Sequence, residues 1–473
     1  MKRILLVDFG STYTKAIAVE LESETVLGRS QAPTTFDTDI MIGLDTALCS
    51  LEREWNIPRD NFAEKYACSS AAGGLKMAAI GLVPSLTLEA ARRSALGAGA
   101  KVVCSYGFEI NEDIIAEISE KRCDIIMLAG GTDGGNKSVI IHNADILAAS
   151  DISCPILVCG NQNTVGKVSR ILSDGGKQFY LSENVLPTLD MVNSEPAGCV
   201  IRDIFIEHIV KAKGLSGAQE YIGRSIIPTP LATLRAAELL SRGTGEVAGI
   251  GSLLVVEVGG ATTNVHSVIS NEAVTSQTIL RGLPESFVKR TVEGDLGIRW
   301  NAQTIFELAG DARLRDILQG LGSVPEEESG RADFKAYTDN LYSNVEHVPE
   351  NDFEYELDIT LAKAAVHTAV SRHAGTIQKE ASVSGEVTIQ RGKNLLSTAT
   401  ILATGGIFKY GKDPGRVLQS ALFDDKEPWS LRPVSPNFLI DKSYIFYAIG
   451  LMMQEHPEAA LRIAKRYLAP IDP

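Results

Sequence analysis

Two apolar runs far apart in the chain end in the same device, and that repetition constrains the fold more than any other feature. Ile4 to Val7 stops at Asp8-Phe9-Gly10-Ser11-Thr12, and an extended pattern resumes from Thr14 to Leu21. Leu253 begins a second run that stops at Glu257-Val258-Gly259-Gly260-Ala261-Thr262-Thr263, and a return strand follows from Asn264 to Ile269. β-prone runs around a glycine-containing turn read as hairpins. A glycine at such a turn lets backbone N–H groups approach an oxyanion with no side chain in the way. Both turns add hydroxyl donors: Ser11, Thr12 and Thr14 in the first, Thr262 and Thr263 in the second. Lys15 adds a point charge suited to phosphate oxygens. Asp8 ends the first strand, where a hard carboxylate can hold hydrated magnesium through its waters. Glu257 takes the corresponding place in the second turn. A third element is simpler: the strand Thr398 to Ala403 ends in Thr404-Gly405-Gly406, where a flat nucleoside could lie close to the backbone.

The chain has 473 residues, which predicts two lobes or several subdomains. We divide it at 1–250 and 251–473, with an inserted α/β subdomain at 100–220 in the first part. The insertion is read from alternation. Lys101 to Cys104 is strand-like and Ile110 to Lys121 helical, Asp124 to Ala129 is a strand and Val139 to Ala149 a helix, and Pro155 to Cys159 is a strand. That order predicts a parallel layer. Further helices are expected at Leu44 to Trp55, Ala90 to Leu96, Leu231 to Arg242, Ile359 to Ile377, Tyr444 to Met453 and Ala459 to Tyr467.

Charge limits the partners. A formal net charge of −14 disfavours nonspecific binding to nucleic acid or an anionic membrane. The apolar N-terminal run is cut by Asp8 and does not form a signal sequence, and Tyr444 to Met453 is far shorter than the ~20 residues of a membrane span. A cytoplasmic protein is expected. The cysteines Cys49, Cys68, Cys104, Cys123, Cys154, Cys159 and Cys199 form no Cys-x-x-Cys pair and read as structural thiols of a reducing compartment.

Other glycine-rich segments carry less. Ala129 to Asn136 follows a strand and is either a long turn or a further anion site. Gly160 to Val168 fails as a phosphate loop of the Walker type, because the glycine spacing is one residue too long and Val168 stands where a hydroxyl is needed. Thr291 to Gly297 offers two carboxylates, Glu293 and Asp295, but reads as a solvated loop. His367 and His373 lie six apart on one expected helix and do not share a face.

Asp8-Phe9-Gly10-Ser11-Thr12-Tyr13-Thr14-Lys15, then Glu257-Val258-Gly259-Gly260-Ala261-Thr262-Thr263, then Thr404-Gly405-Gly406 resembles the phosphate-1, phosphate-2 and adenosine motifs of the actin, Hsp70 and sugar-kinase superfamily. The resemblance implies an α/β fold of two ribonuclease H-like lobes closing on ATP and Mg2+. By that resemblance Asp8 orders the metal, while Gly10, Ser11, Thr12, Thr14 and Lys15 hold phosphate from one lobe. Gly259, Gly260, Thr262 and Thr263 hold it from the other, and Gly405 and Gly406 border the nucleoside. Asp8 and Glu257 are the expected catalytic carboxylates. Two positions depart from the superfamily pattern: Glu257 replaces the usual Asp, and Asn264 stands where relatives often carry a second acid.

With Ser69 to Lys76, Ala129 to Asn136, Val292 to Gly297 and Ala403 to Phe408 added, the set of motifs is similar to the glutamate mutase accessory protein family, MutL or GlmL, which is distinct from the mismatch-repair protein of the first name. That resemblance implies an ATP-dependent reactivating factor for an adenosylcobalamin-dependent mutase or aminomutase. Its partners would be the mutase subunits, and a homo-oligomeric state stays open. The chain has no Asp-x-His-x-x-Gly motif, so the cobalamin is expected in the partner. A small-molecule kinase of the same fold and an ATP-driven activator carrying an iron–sulfur cluster are the alternative readings. The first would need an acceptor pocket with an acidic base, and the second a cysteine spacing that is not found here.

Overall fold

A computed structural model describes residues 2–10, 13–35, 38–70, 75–205, 215–382 and 385–472. The chain divides into two compact units, residues 1–236 with 282–284 and 447–463, and residues 237–281 with 285–446 and 464–473.

In the first unit the strands are β1 (Arg3–Phe9), β2 (Tyr13–Glu20), β3 (Thr25–Pro33), β4 (Glu64–Ser69), β5 (Lys76–Gly81), β6 (Lys101–Gly107), β7 (Ile125–Leu128), β8 (Ile156–Val158), β9 (Phe179–Leu181) and β10 (Ile227–Pro228). One sheet runs β10-β4-β1-β2-β3. β1 is antiparallel to β2 and parallel to β4, so a hairpin and a crossover meet on one central strand. The six residues from Ile4 to Phe9 are all buried, which is why the strand reads as a continuous apolar run with no alternation. The crossover contains the helix Ile40–Trp55. It is capped by the Asp39 carboxylate, which accepts from Met41 N–H at 2.9 Å, and it buries Ile40, Leu44, Ala47, Leu48 and Leu51.

The second sheet of this unit, β6-β5-β7-β8-β9, is parallel throughout. It is the α/β layer expected from alternation, but it starts at Lys76 and its last strand ends at Leu181. The sequence division at 100–220 therefore omits β5. That strand is a six-residue run just after Gly73-Gly74, and it gave no helix–strand alternation to read.

In the second unit the strands are β11 (Leu253–Val258), β12 (Thr263–Val268), β13 (Ile279–Leu280), β14 (Val288–Glu293), β15 (Thr376–Ser382), β16 (Gly385–Arg391), β17 (Thr400–Thr404), β18 (Asn437–Ile440) and β19 (Ala469–Ile471). The main sheet runs β14-β12-β11-β17-β18-β19. β11 is antiparallel to β12 and parallel to β17, and β17 is parallel to β18. This order around β11 repeats the order around β1: each central strand has a hairpin on one side and a parallel crossover strand on the other. The helix Asp352–His373 lines the core with Leu357, Ile359, Leu361, Val366 and Val370. It ends before Ile377, where the sequence pattern had extended it. Ala374-Gly375 breaks it, the Gly375 N–H donates to the Lys393 carbonyl, and β15 begins at Thr376.

The unit boundaries also differ from the cut at residue 250. Residues 447–463 cluster with the N-terminal unit. There His456 lies 2.7 Å from Glu64 on β4, Tyr66 donates to Glu64 and Glu455, and Lys2 and Arg224 contact the two carboxylates. Among the described residues, Glu64, Glu455 and His456 bring three possible ligand atoms within 4.8 Å of one another. Lys2 and Arg224 already balance the two carboxylates, and the group ties a late segment to an early strand. No helix among the described residues is long and apolar enough to cross a membrane.

Candidate functional site

The β1–β2 register sets the first turn. Asp8 lies opposite Lys15 and Phe9 opposite Thr14, and the Gly10 N–H donates to the Tyr13 carbonyl at 3.1 Å. Ser11 and Thr12 lie outside the described residues. Asp8 is 2% exposed and fully engaged. Its Oδ2 accepts from Lys15 Nζ at 2.9 Å, and its Oδ1 accepts from Thr229 Oγ1 at 2.7 Å and the Cys68 thiol at 3.6 Å. Burial, with the Asp8 charge beside it, pushes the Cys68 thiol well up, so it stays a protonated donor. Thr14 does not offer its hydroxyl to solvent. It is completely buried and pairs with Thr34 Oγ1 at 3.1 Å, while Thr34 donates to the Gly10 carbonyl at 2.8 Å. Thr14 braces the turn from the core side.

The second turn shows how such a loop can present donors. The Gly259 N–H closes the hairpin on the Thr262 carbonyl at 2.9 Å. Every carbonyl from Gly259 to Ala261 is then drawn toward one neighbouring segment. Gly259 accepts from Ile298 N–H at 3.2 Å, Gly260 from Arg299 N–H at 3.0 Å and Trp300 N–H at 2.9 Å, and Ala261 from Asn301 Nδ2 at 2.7 Å. The N–H groups of Gly260, Ala261 and Thr262 take no part in these bonds. The brace requires close approach: a Cβ on Gly297 would stand 2.2 Å from the Ala261 carbonyl carbon. Arg299 is held by Asp358 at 2.6 and 3.1 Å, and Tyr337 donates to the same carboxylate at 2.9 Å. Thr263 is buried and donates to the Leu296 carbonyl at 2.7 Å, so its hydroxyl, like that of Thr14, is structural. Gly260 is exposed, and Thr262 is half-buried.

The sequence reading of Thr291 to Gly297 as a solvated loop is corrected here. Val288–Glu293 is β14, Leu296 is buried, and Glu293 and Asp295 both accept from Arg372. Residues 296–301 then form the brace of the second turn.

The third element lies beside the second. β17 pairs with β11 so that Thr404 stands opposite Glu257. Gly405 follows with φ +116°, and a Cβ there would meet the Val258 carbonyl oxygen at 2.2 Å, so only glycine fits. Gly406, by contrast, has open space at its Cβ position and starts the helix Gly406–Tyr410. Just past the end of the next strand, β18, Asp441 accepts from Ile445 N–H at 3.0 Å, Phe446 N–H at 2.9 Å and Thr404 Oγ1 at 3.3 Å. Burial raises its carboxyl above the ordinary range. Glu257, Gly405-Gly406 and Asp441 thus share the carboxyl ends of three adjacent parallel strands, the usual place for a ligand in an open α/β sheet.

Sequence reasoning missed Thr34, Thr229, Arg299, Asn301 and Asp441, all of which act from a distance in sequence. Only Thr229-Pro230, a helix-start pattern, carried a local signal. The loop Gly130 to Asn136 is tied to residues 161, 162 and 184. The Asn161 side chain bonds Gly134 N–H and the carbonyls of Gly135 and Asn136, and Asp133 accepts from Gln162 N–H and Asn184.

Two sheets in one chain, each built on a central strand with a hairpin on one side, a parallel crossover strand on the other and a glycine turn at its end, define a two-unit α/β fold. The MutL protein family model matches residues 4–468, and Protein MutL of Clostridium tetanomorphum is 43% identical over 471 residues, 100% of each chain. The chain belongs to the MutL protein family. Among solved structures, the diol dehydratase-reactivating factor in nucleotide-free form aligns over 96% of this chain and 100% of that one, at 11% identity and a TM-score of 0.36. The activator of 2-hydroxyisocaproyl-CoA dehydratase from Clostridium difficile with bound ADPNP aligns over 100% of both, at 8% identity and a TM-score of 0.32.

Proposed function

We propose that the chain binds ATP with magnesium, hydrolyses it, and uses the cycle to reactivate an adenosylcobalamin-dependent mutase such as glutamate mutase or an aminomutase by releasing damaged cobalamin. The observation that carries the nucleotide half is the second turn, whose carbonyls from Gly259 to Ala261 are all tied to the 298–301 segment in bonds that do not use the N–H groups of Gly260, Ala261 and Thr262. On this reading Gly259, Gly260 and Thr262 hold phosphate in one unit, and Gly10, Ser11, Thr12 and Lys15 in the other. Gly405 and Gly406 border the nucleoside.

The donor chemistry at Asp8 suits a magnesium–phosphate group, because a hard carboxylate and a primary ammonium stand side by side at 2.9 Å. Phosphate could take over Lys15, and Asp8 would then be the residue that holds hydrated magnesium. Magnesium would supply positive charge at the phosphate oxygens. Glu257 is the candidate acceptor for the water proton. As the water oxygen bonds to the γ-phosphorus, the proton passes to the carboxylate, the bond to the β–γ bridging oxygen breaks, and its electron pair leaves on ADP.

The mutase half is supported by membership of the MutL family and by the resemblance of the whole motif set to its accessory proteins. ATP must favour one conformation of the factor over ADP for the cycle to do work on a partner. The test uses the full chain and a cobalamin-inactivated mutase. ATP should restore activity, a nonhydrolysable analogue should not, and Asp8→Ala should abolish the rescue. Rescue that proceeds equally with the analogue, or without nucleotide, refutes the proposal.

A further inference from the structure

Behind Glu257 lies a row of polar groups that the motif reading does not use. The registers β11–β12–β14 place Glu257 opposite Asn264, and His266 opposite Arg290 one step further along, with side chains on one sheet face. Arg290 is 5% exposed, Asn264 7% and His266 0%. The Glu257 side chain, at 19%, is the part of the row that reaches the surface.

The hydrogen bonds have a direction. Arg290 Nη2 donates to Asn264 Oδ1 at 3.2 Å, and Asn264 Nδ2 donates to Glu257 Oε2 at 3.1 Å. The amide connects a guanidinium to a carboxylate, and turning it over would set like against like at both ends. His266 Nε2 lies 3.9 Å from the same Oε2, beyond hydrogen-bond distance, and burial pushes its imidazole below the ordinary range, so it adds no charge near neutrality. Burial also pushes the Arg290 guanidinium down to about 9, which leaves it cationic near neutrality, with the Glu257 charge opposing that fall.

We infer that Arg290 and Asn264 are positioning residues for Glu257, fixing the direction of its carboxylate and holding it as an anion able to accept a proton. This rests on the nucleotide reading above. It also accounts for the departure at residue 264. An acid there would set a second negative oxygen against Glu257 Oε2, whereas the amide donates to it. Among the described residues the side chains of Arg290 and Asn264 bond along this row and not to the 259–262 turn, so the expected signature is loss of turnover without loss of nucleotide affinity.

The experiment measures ATP affinity by calorimetry and single-turnover hydrolysis for the full chain and for Asn264→Asp, Arg290→Lys, Arg290→Met and Glu257→Gln. Asn264→Asp is nearly isosteric and keeps the acceptor for Arg290, which guards against a variant that merely fails to fold. Asn264→Asp and Arg290→Met should slow hydrolysis about tenfold or more with affinity within about threefold of wild type, and Arg290→Lys should recover part of the rate. Asn264→Asp hydrolysing at the wild-type rate, or affinity and rate falling in the same proportion, overturns the inference and leaves the nucleotide reading intact. A wild-type chain that does not bind ATP overturns that reading instead, and this inference with it.

Discussion

Gly297→Ala is the sharpest way to ask whether the brace makes the second turn an anion site, because it alters no residue of the turn. The added methyl would stand 2.2 Å from the Ala261 carbonyl carbon and 2.5 Å from the Gly260 carbonyl oxygen. Both are backbone atoms, so either the turn or the 296–301 segment must move. Four hydrogen bonds join that segment to the turn carbonyls, from Ile298, Arg299, Trp300 and the Asn301 side chain, and the Thr263 hydroxyl makes a fifth to Leu296. Each contributes about 0.5–1.5 kcal/mol net. A shift that breaks two of them loses about 1–3 kcal/mol of turn order, comparable with ordinary overpacking. Where the ordered turn is the form that binds phosphate, about 1.4 kcal/mol is tenfold in affinity. Isothermal titration with ATP should therefore show binding weakened about tenfold or more, with a lowered melting temperature. Gly320→Ala, where a Cβ meets nothing within 4 Å, is the control and should leave both unchanged. Gly297→Ala with wild-type affinity and stability would refute the claim that the brace shapes the site.

Three further outcomes are expected. Asp8→Asn keeps the shape of the side chain but removes the charge that Lys15 Nζ meets at 2.9 Å, and it should abolish measurable ATP turnover in a phosphate-release assay. Gly405→Ala forces a side chain into φ +116° and against the Val258 oxygen, so it should destabilise the protein by about 2–4 kcal/mol in denaturant melts, whereas Gly406→Ala, next in sequence with open space, should be tolerated. Acid stability should depend on Glu64. Burial alone would raise its carboxyl, but hydrogen bonds from His456, Lys2 and Tyr66 hold it down at about 2. A depressed folded value means that its contribution is complete above the unfolded value near 4.5 and fades as pH falls toward 2. The stability gap between wild type and Glu64→Gln should therefore close across that window in melts at pH 6, 4 and 2.5, and a constant gap would count against the pairing.

How much the sequence reveals follows from the range of each interaction. The two hairpins and the third glycine pair are local: a buried strand, a turn residue and a return strand lie within about fifteen residues, and periodicity reports them directly. The site residues it assigned at Thr14 and Thr263 have the right chemistry, but strand alternation turns both hydroxyls into the core, where Thr34 and the Leu296 carbonyl take them. Residue type alone could not distinguish those faces. The brace was illegible for another reason: 296–301 is about forty residues from the turn and joins it mainly through backbone N–H groups, which carry no side-chain signature. The return of residues 447–463 to the first unit depends on partners such as Glu64 and His456 at a separation of 392 residues.

The repeated device also hides a chemical difference between its two copies. In the first, the acid is neutralised directly: Asp8 is almost fully buried and touches the Lys15 ammonium, a flexible cation on the neighbouring strand whose own side chain is 21% exposed. On the proposed function an incoming phosphate would compete for that lysine, and the carboxylate would become available to a hydrated cation only once an anion had arrived. In the second, the acid is partly exposed and its cation is not mobile. Arg290 is buried and reaches Glu257 through an amide whose orientation is fixed at both ends. On the proposed function a phosphate would not draw that buried guanidinium away, and the amide would hold the direction of Glu257 through binding. One strand-turn-strand motif thus yields an acid suited to exchange partners and an acid suited to wait unchanged for a proton. On the proposed function those would be the separate requirements of holding a metal–triphosphate and of activating a water, met by the strand neighbours, Lys15 in one case and Asn264 with Arg290 in the other.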